Sequence, residues 1–283
     1  SVPFRDVRLW QVPLNGQGIA GLIALQGLGH LEETNVIPKI DAVGTTTTYH
    51  AMIEMMRLGF ADNRAHVTDP RYMDVTVEHM LDLQRINERA TRMFDPNRAT
   101  IAGAPDASSC TVSFQVVDTE GNAISFVNSN FMGFGTGIVP DGCGFPLQNR
   151  GFGFTLEAGH PNVAAPSKRP YHTIIPGILT HQDTGDLYAT LSNMGGNMQP
   201  QGHLQLTIDM VAGGLDPQQA VDMPRFCIPD ATQGGIVLLE KGVNDVVVND
   251  LVQMGHKLQA DVAGRSRSVF GRAQIIKRDR ETG

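Results

Sequence analysis

The spacing of apolar residues over the first hundred positions predicts helices. Turn-forming residues lie between Pro13 and Gly18, and the next positions repeat at the spacing of a helix face: Ile19, Leu22, Ile23 and Gln26. A threonine-rich start at residue 45 is followed by Tyr49, Met52, Met56 and Phe60, which predicts an amphipathic helix over residues 45–62. A long helix is predicted over residues 73–94, with apolar positions facing inward: Val77, Met80, Leu81 and Ile86.

The period of the pattern changes after a stretch rich in proline, glycine and alanine at residues 96–110, which predicts an exposed connection. Residues 112–117 alternate like a strand, and Glu120, Gly121 and Asn122 supply a tight turn into a second alternating run, which indicates a hairpin. Further strands are predicted at residues 173–181, 186–192 and 235–240, and helices at 201–215 and 248–257. Strands and helices do not alternate regularly, so the pattern favours an α+β fold over a doubly wound one.

The bulk composition limits the classes of function. The chain has 283 residues, 41% of them hydrophobic, enough for a proper buried core. Its formal net charge of -7 and the lack of a basic cluster argue against a nucleic-acid partner. Three widely spaced cysteines indicate neither a disulfide framework nor a CxxC metal site. No apolar run approaches a membrane span and no secretory signal is visible, which leaves the compartment open and slightly favours the cytoplasm.

Four potential nucleophiles stand immediately before the first predicted strand: Ser108, Ser109, Cys110 and Thr111. Small polar residues are also ordinary loop material at such a place. If the chain were cut before Thr111, the new α-amino group, with a pKa of about 8, could serve as the general base for the hydroxyl of the same residue. A Cys110 thiolate is a chemically credible alternative nucleophile.

Several longer motifs carry a resemblance to a known family. They are "VVDTEGNAISF", "MGFGTGIVPDGCGFPLQNRGFGF", "HPNVAAPSKRPYHTIIP", "SNMGGNMQPQGHLQ" and "SVFGRAQII". In this order and spacing, they resemble the γ-glutamyltransferase family of N-terminal nucleophile hydrolases, which cut their own precursor. The resemblance runs through nearly the whole chain. It implies a four-layer αββα sandwich, in which residues 1–110 correspond to the end of a large subunit and residues 111–283 to a small catalytic subunit within one domain.

The resemblance assigns roles to particular positions. The family's catalytic threonine stands five residues before "VVD", which is Thr111, so cleavage is expected between Cys110 and Thr111. Ser129 stands where the family has a second threonine that hydrogen-bonds the nucleophile. Gly195 and Gly196 match the glycine pair whose amides form the oxyanion hole. No cofactor and no metal are implied, and the two fragments are expected to stay associated after cleavage.

The chain departs from the family at positions that contact substrate. Arg150 and Gly153 stand where typical members have an amide and a carboxylate for the substrate amino group, and His172 and Thr173 replace a serine pair that reaches a carboxylate. An arginine in place of an acid favours a carboxylate or amide over an ammonium. The departures therefore point away from glutathione and towards the branch that acts on glutaryl or polyglutamyl amides, with Arg150 at the negative end of the acyl group.

Three alternatives accompany this hypothesis. Typical members begin their large subunit well upstream of Ser1, so the chain is expected to be either a fragment or a shortened relative, and a catalytically silent binding protein is the rival function.

A metal site at His160, His172, His181 or His203 is disfavoured because none has a partner at HxH or HxxxH spacing. The glycine-rich "GQGIAG" lacks the context of a phosphate-binding loop and is interpreted as a helix N-terminus.

Overall fold

A computed structural model describes residues 1–100, 110–232 and 235–279. The strands are β1 (Val2–Phe4), β2 (Val7–Gln11), β3 (Cys110–Val117), β4 (Ala123–Phe131), β5 (Gly177–His181), β6 (Leu187–Asn193), β7 (Phe226–Cys227), β8 (Val237–Glu240), β9 (Leu258–Val262) and β10 (Ala273–Lys277). The α-helices are α1 (Gly18–Glu33), α2 (Thr46–His66), α3 (Val77–Met80), α4 (Leu83–Met93), α5 (Met198–Val211), α6 (Pro217–Asp222) and α7 (Asp245–Gln253).

The main sheet is antiparallel and has the strand order β1-β2-β5-β6-β10. Strands β3 and β4 form a separate hairpin, and β7, β8 and β9 form a small mixed sheet in which β8 and β9 are parallel. Helix and sheet are thus combined without regular alternation, and the fold is α+β.

The helices and the β3–β4 hairpin cover opposite faces of the main sheet. Leu191 of β6 belongs to the hydrophobic core with α1 and α5, whereas the next residue, Ser192, accepts a hydrogen bond from Nε2 of Gln115 at 2.7 Å. Adjacent residues of a strand point to opposite faces. The hairpin therefore lies on the side of β6 away from the helices, and it brings the start of β3 towards the end of β6.

The core on the helical side depends on close contact between α1 and α2. A Cβ atom at Gly59 of α2 would lie 2.2 Å from the carbonyl oxygen of Ala20 in α1, so only glycine permits this approach. Apolar side chains from both helices are fully buried there, including Ile23, Leu28 and Ile53. This packing fixes α2, which also carries buried polar residues, among them His50, Glu54 and Arg57.

The outer face of the hairpin is apolar and exposed. Val112 and Phe114 keep 68% and 46% of their surface accessible, and the Phe114 ring stacks on Phe126 of β4 with 4.8 Å between centroids. Ser113 and Gln115 point the other way, into the main sheet, where Ser113 donates to Gln274 at 3.3 Å. The alternation predicted from the sequence is present, with the polar side facing inward.

Most of the predicted elements are present, and one is wrong. Helices were expected at residues 45–62 and 201–215, and α2 and α5 lie there, with the Thr45 side chain accepting from the amide of Thr48. The single helix over residues 73–94 is instead two helices, because the Asp82 side chain accepts from the amide of Arg85 and starts α4 anew. Most of the predicted connection, residues 101–109, lies outside the described residues.

No helix among the described residues is long and apolar enough to cross a bilayer. The division into residues 1–110 and 111–283 stays a prediction.

Candidate functional site

Thr111 lies at the start of β3, at a break in the hairpin register. Cys110 pairs with Phe131 and Val112 with Asn128, so Thr111 lies opposite a bulge in β4, where Ser129 and Asn130 face one residue of β3. Its side chain is 4% exposed and lies on the same face as Ser113 and Gln115, directed into the molecule. A bulge re-aims side chains and interrupts regular pairing, and the extra residue of β4 places Ser129 next to the Thr111 hydroxyl.

Ser129 of β4 holds the Thr111 hydroxyl. Oγ1 of Thr111 donates to Oγ of Ser129 at 3.2 Å, and the same Ser129 oxygen accepts from the amide of Phe131 at 3.0 Å. The sequence-predicted pair is therefore brought together across the hairpin. Ser108 and Ser109 lie outside the described residues, and of Cys110 only the backbone is described.

The turn at Gly195–Gly196 joins the end of β6 to the start of α5. Both residues have positive φ angles, 119° and 59°, a region that glycine adopts without strain. Their carbonyls accept from the amides of Met198 and Gln199, at 3.0 and 3.1 Å, and begin the helix. Within the described part of the chain, neither glycine amide donates to a protein acceptor. Two free amides ahead of a helix N-terminus suit a developing oxyanion.

Gly271 supports this turn from the neighbouring segment. Its φ is 65°, and a Cβ atom there would lie 1.7 Å from the carbonyl oxygen of Met194. A Cβ at Gly195 would in turn lie 3.4 Å from Cα of Gly271. The close backbone approach thus requires glycine at position 271, and Gly195 is required by its own φ of 119°.

Gln17 fixes the position of the turn from behind and is fully buried. Its Nε2 donates to the carbonyls of Gly196 at 2.6 Å and Thr173 at 3.0 Å, and its Oε1 accepts from the Tyr171 hydroxyl at 2.9 Å. The residue immediately precedes α1, so the glycine-rich segment is a helix N-terminus as expected. No sequence pattern indicates the role of Gln17, because its partners are more than 150 residues away.

Arg150 and Thr173 are neighbours beside the site. Nη1 of Arg150 donates to Oγ1 of Thr173 at 2.8 Å, and the guanidinium carbon lies 4.8 Å from the centre of the Phe131 ring. The side chain is 7% exposed, and its Nη2 is buried without a hydrogen-bond partner among the described residues. Burial lowers the pKa of Arg150 to about 10, so the group is charged at neutral pH. A buried cation with a free donor is suited to an anionic or amide ligand.

A cavity of about 310 Å³ adjoins these residues. Its lining includes several aromatic side chains: Phe131, Phe152, Phe154 and Tyr171. Thr173, Gly153 and Asn197 also line it, and Asn197 directly follows the glycine turn. The cavity therefore extends from the glycine turn to the neighbours of Arg150, and it combines apolar walls with a few polar groups, as small-molecule sites do.

His172 faces a different cavity from Thr173. It lines a space of about 380 Å³ together with Arg169 and Ile174, and its ring packs against Gly16. Burial, followed by the positive charges of Arg150 and Arg169, lowers the pKa of His172 to about 4, so the ring is neutral at physiological pH. The structure brings Arg150 and Thr173 together and directs His172 to the other cavity. Whether His172 contacts substrate stays a prediction.

One group of side chains elsewhere could hold a metal ion. Ligand atoms of His50, Glu54 and His256 all lie within 4.8 Å of one another, and all three residues are buried. This group was not predicted, because His256 is far from the other two residues in the chain. His50 and Glu54 are one turn apart on α2, and His256 comes from the segment before β9.

The comparisons with known proteins agree on one family. The sequence model described as gamma-glutamyltranspeptidase matches residues 1–282. The glutathione hydrolase-like YwrD proenzyme of Bacillus subtilis (strain 168) is 31% identical over 285 residues, covering 99% of this chain and 52% of that protein. The oxamate amidohydrolase proenzyme of Klebsiella pneumoniae is 32% identical, over 74% of this chain and 38% of that protein.

A solved structure is similar throughout this chain. The cephalosporin acylase from Bacillus halodurans has a TM-score of 0.86 and 38% identity, covering 100% of this chain and 49% of that one. The chain thus spans about half the length of these proteins. The sequence model of the family matches nearly every residue of this chain, and the proteins above are similar to it. The chain therefore belongs to the gamma-glutamyltranspeptidase family.

Proposed function

We propose that this chain carries the catalytic centre of a self-processing amidohydrolase or acyltransferase that acts through an acyl-threonine intermediate. The observation that carries the proposal is the Thr111 hydroxyl, buried and hydrogen-bonded to Ser129 at 3.2 Å. Membership of the gamma-glutamyltranspeptidase family and likeness to proteins named as proenzymes support self-processing.

Self-cleavage proceeds as an acyl shift from nitrogen to oxygen. Oγ1 of Thr111 attacks the carbonyl carbon of Cys110, the bond from that carbon to the Thr111 nitrogen breaks, and the hydroxyl proton passes to the departing nitrogen. Water then hydrolyses the ester, which leaves a carboxylate on Cys110 and restores the Thr111 hydroxyl. The products are residues 1–110 and a second fragment whose first residue is Thr111.

Turnover uses the same hydroxyl with the amine that cleavage exposes. The α-amino group of Thr111 takes the hydroxyl proton as Oγ1 attacks the substrate amide, and later gives it to the leaving amine. The amides of Gly195 and Gly196 stabilise the tetrahedral oxyanion, and Ser129 orients the nucleophile. Water or an acceptor amine then removes the acyl group from Thr111.

The acyl group is proposed to carry a carboxylate or an amide at its far end. Arg150 supplies a buried positive charge with one free donor next to a cavity of about 310 Å³. A γ-glutamyl, glutaryl or polyglutamyl amide fits this description. Oxamate and cephalosporin side-chain amides belong in the same panel, because similar proteins are named for them.

Two structural expectations accompany this function. The four-layer αββα sandwich is proposed for the complete enzyme, since the described layers are the helices, the main sheet and the hairpin beyond it. The fragments before and after Thr111 are proposed to stay associated as one domain, because β2 pairs with β5 across the division and Gln17 donates to the carbonyls of Thr173 and Gly196.

The test compares Thr111→Ala with Ser113→Ala. Ser113 lies on the same face of β3 and bonds Gln274, so its loss is a matched change two residues from the site. Intact mass under denaturing conditions reports cleavage, and release from γ-glutamyl and glutaryl anilides reports turnover. Wild type and Ser113→Ala should cut before Thr111 and turn over, and Thr111→Ala should do neither.

Cleavage or turnover by Thr111→Ala would refute the assignment and direct attention to Cys110. A wild-type protein that stays uncut and inactive towards every acyl amide in the panel would favour the rival function, a silent binding protein.

A further inference from the structure

The buried group around Glu54 of α2 binds the chain just before the cleavage segment. We use the name α2 clamp for His50, Glu54, Arg57 and His256. Glu54 and Arg57 form an ion pair, with 2.9 Å between Nη1 and Oε1, in which each side chain is 3% exposed. Their position, one turn apart on a helix fixed by the core, gives them little freedom to move.

Thr100 uses all three of its polar groups on this ion pair. Its amide donates to Oε2 of Glu54 at 3.1 Å, its hydroxyl donates to the same oxygen, and its carbonyl accepts from Nη1 of Arg57 at 2.6 Å. Just before it, the amide of Ala99 donates to the carbonyl of Met254 at 2.6 Å. Buried charge-assisted hydrogen bonds are among the strongest in proteins, so the position of Thr100 is tightly determined.

His50 binds the same segment five residues earlier. Its Nε2 lies 2.8 Å from the carbonyl oxygen of Asp95, which can only accept, so this nitrogen carries the proton. Nδ1 of the same ring lies 2.7 Å from Nε2 of His256. Burial is the main cause that lowers the pKa of His256 to about 3, which keeps that ring neutral. The clamp thus binds residues 95–100 at both ends.

A metal ion is the less favourable occupant of this group. Both carboxylate oxygens of Glu54 already accept hydrogen bonds, and the Arg57 guanidinium lies beside them. A divalent ion next to two imidazoles and a paired arginine would leave excess positive charge buried, at high cost. The hydrogen bonds to Thr100 and Asp95 use the same side chains without that cost.

We propose that the α2 clamp is a positioning device for self-cleavage, an inference that rests on the proposed function. Thr100 stands ten residues before Cys110, which is paired with Phe131. An anchor at this distance lowers the entropic cost of bringing the chain to the Thr111 hydroxyl. The clamp thereby limits how the Cys110–Thr111 peptide approaches the Thr111 hydroxyl, and its loss slows cleavage but not later turnover.

The experiment compares cleavage rates after cell-free synthesis of the full chain, followed by intact mass at timed intervals. Glu54→Gln removes the charge that binds Thr100. Thr100→Val removes only the hydroxyl donor and preserves the ion pair, so it still tests the effect of the clamp on cleavage if Glu54→Gln fails to fold. Arg57 is left unchanged because its Nη2 also donates to Gly235, near the cavity wall.

Glu32→Gln is the matched control. Glu32 and Arg5 also form an ion pair that binds one backbone unit, with Oε1 accepting from the Ile40 amide and Nη2 of Arg5 donating to the Ile40 carbonyl. That unit does not lead to the cleavage segment. We expect cleavage to slow about tenfold in Glu54→Gln and a few fold in Thr100→Val, magnitudes typical of lost positioning, and to be unchanged in Glu32→Gln.

Turnover per cleaved molecule should match wild type in all three variants. If Glu54→Gln and Thr100→Val both cleave at the wild-type rate, the positioning role of the clamp is refuted while the proposed function stands. An equal slowing of cleavage in Glu32→Gln would refute that role in the same way. A restored rate on adding zinc, or slow cleavage of wild type in a chelator, would assign the group to a metal instead. An uncut wild type would refute the proposed function itself.

Discussion

Replacing Arg150 with methionine should separate binding from stability. Burial lowers the pKa of the Arg150 guanidinium from its ordinary value in water to about 10. At 1.36 kcal/mol per pKa unit, this corresponds to a folding penalty of about 3 kcal/mol. Methionine of similar length removes that penalty, and it also removes one hydrogen bond to Thr173 worth about 1 kcal/mol and a contact with the Phe131 ring worth about 1–2 kcal/mol.

These contributions nearly cancel, so Arg150→Met should change the free energy of unfolding by no more than about 1 kcal/mol. The difference in the free energy of unfolding between Arg150→Met and wild type should be constant between pH 6 and 9. The folded-state pKa is lowered, so the penalty is fully present below about pH 10 and is relieved only above it. Denaturant unfolding at two pH values measures both quantities.

Substrate binding should respond strongly. A lost hydrogen bond from a charged donor to a carboxylate costs about 1.5–3 kcal/mol, which corresponds to about a tenfold to hundredfold rise in KM at 1.4 kcal/mol per tenfold change. Acyl amides that end in a carboxylate should show this rise, and uncharged acyl amides should not. Arg169→Met, an exposed arginine on the His172 side, is the control. If Arg150→Met instead loses several kcal/mol of stability, and KM rises equally for charged and uncharged acyl amides, then Arg150 has a structural role.

Two other perturbations follow from described contacts. Gly271→Ala places a Cβ against the Met194 carbonyl at a φ of 65°. We therefore expect a loss of about 1–3 kcal/mol of stability and a lower kcat. Unchanged thermal unfolding and turnover would contradict the role of this turn. Burial raises the pKa of Asp209 to about 7, so the folded state holds a proton that the unfolded state loses above about pH 4, and stability falls as pH rises from there to 7. Asp209→Asn should therefore raise the melting temperature more at pH 8 than at pH 4, and an equal rise at both would refute the ionisation argument.

The sequence predicted the elements that depend on local pattern. Thr45 starts α2, and the turn between Asp118 and Asn122 closes the hairpin, because each relies on residues within a few positions. The break before α4 was missed although Asp82 is a local signal, since the apolar spacing continues across it. Periodicity alone does not reveal a capping residue inside an otherwise helical pattern.

The residues of the candidate site also fall into two groups: those that sequence motifs predicted and those that only the folded structure brings together. The positions of Thr111, Ser129 and the glycine pair came from motifs, and the contact between the first two is present. Gln17 and Gly271 were not predicted to act there, because their contacts join segments far apart in the chain. Whether Arg150 binds substrate depends on burial and on an unpaired nitrogen, which no linear pattern records.

The single side-chain amide of Gln17 bears on how the proposed activity can diversify. One nitrogen bonds the backbone of the glycine turn and the backbone of Thr173, which lines the cavity. A substitution that shifts the cavity wall to admit a new acyl group therefore pulls on the turn that we propose stabilises the oxyanion. In that proposal substrate range and catalytic rate are mechanically linked, so laboratory evolution towards new substrates should accumulate compensating changes around Gln17 and Tyr171 before rates recover.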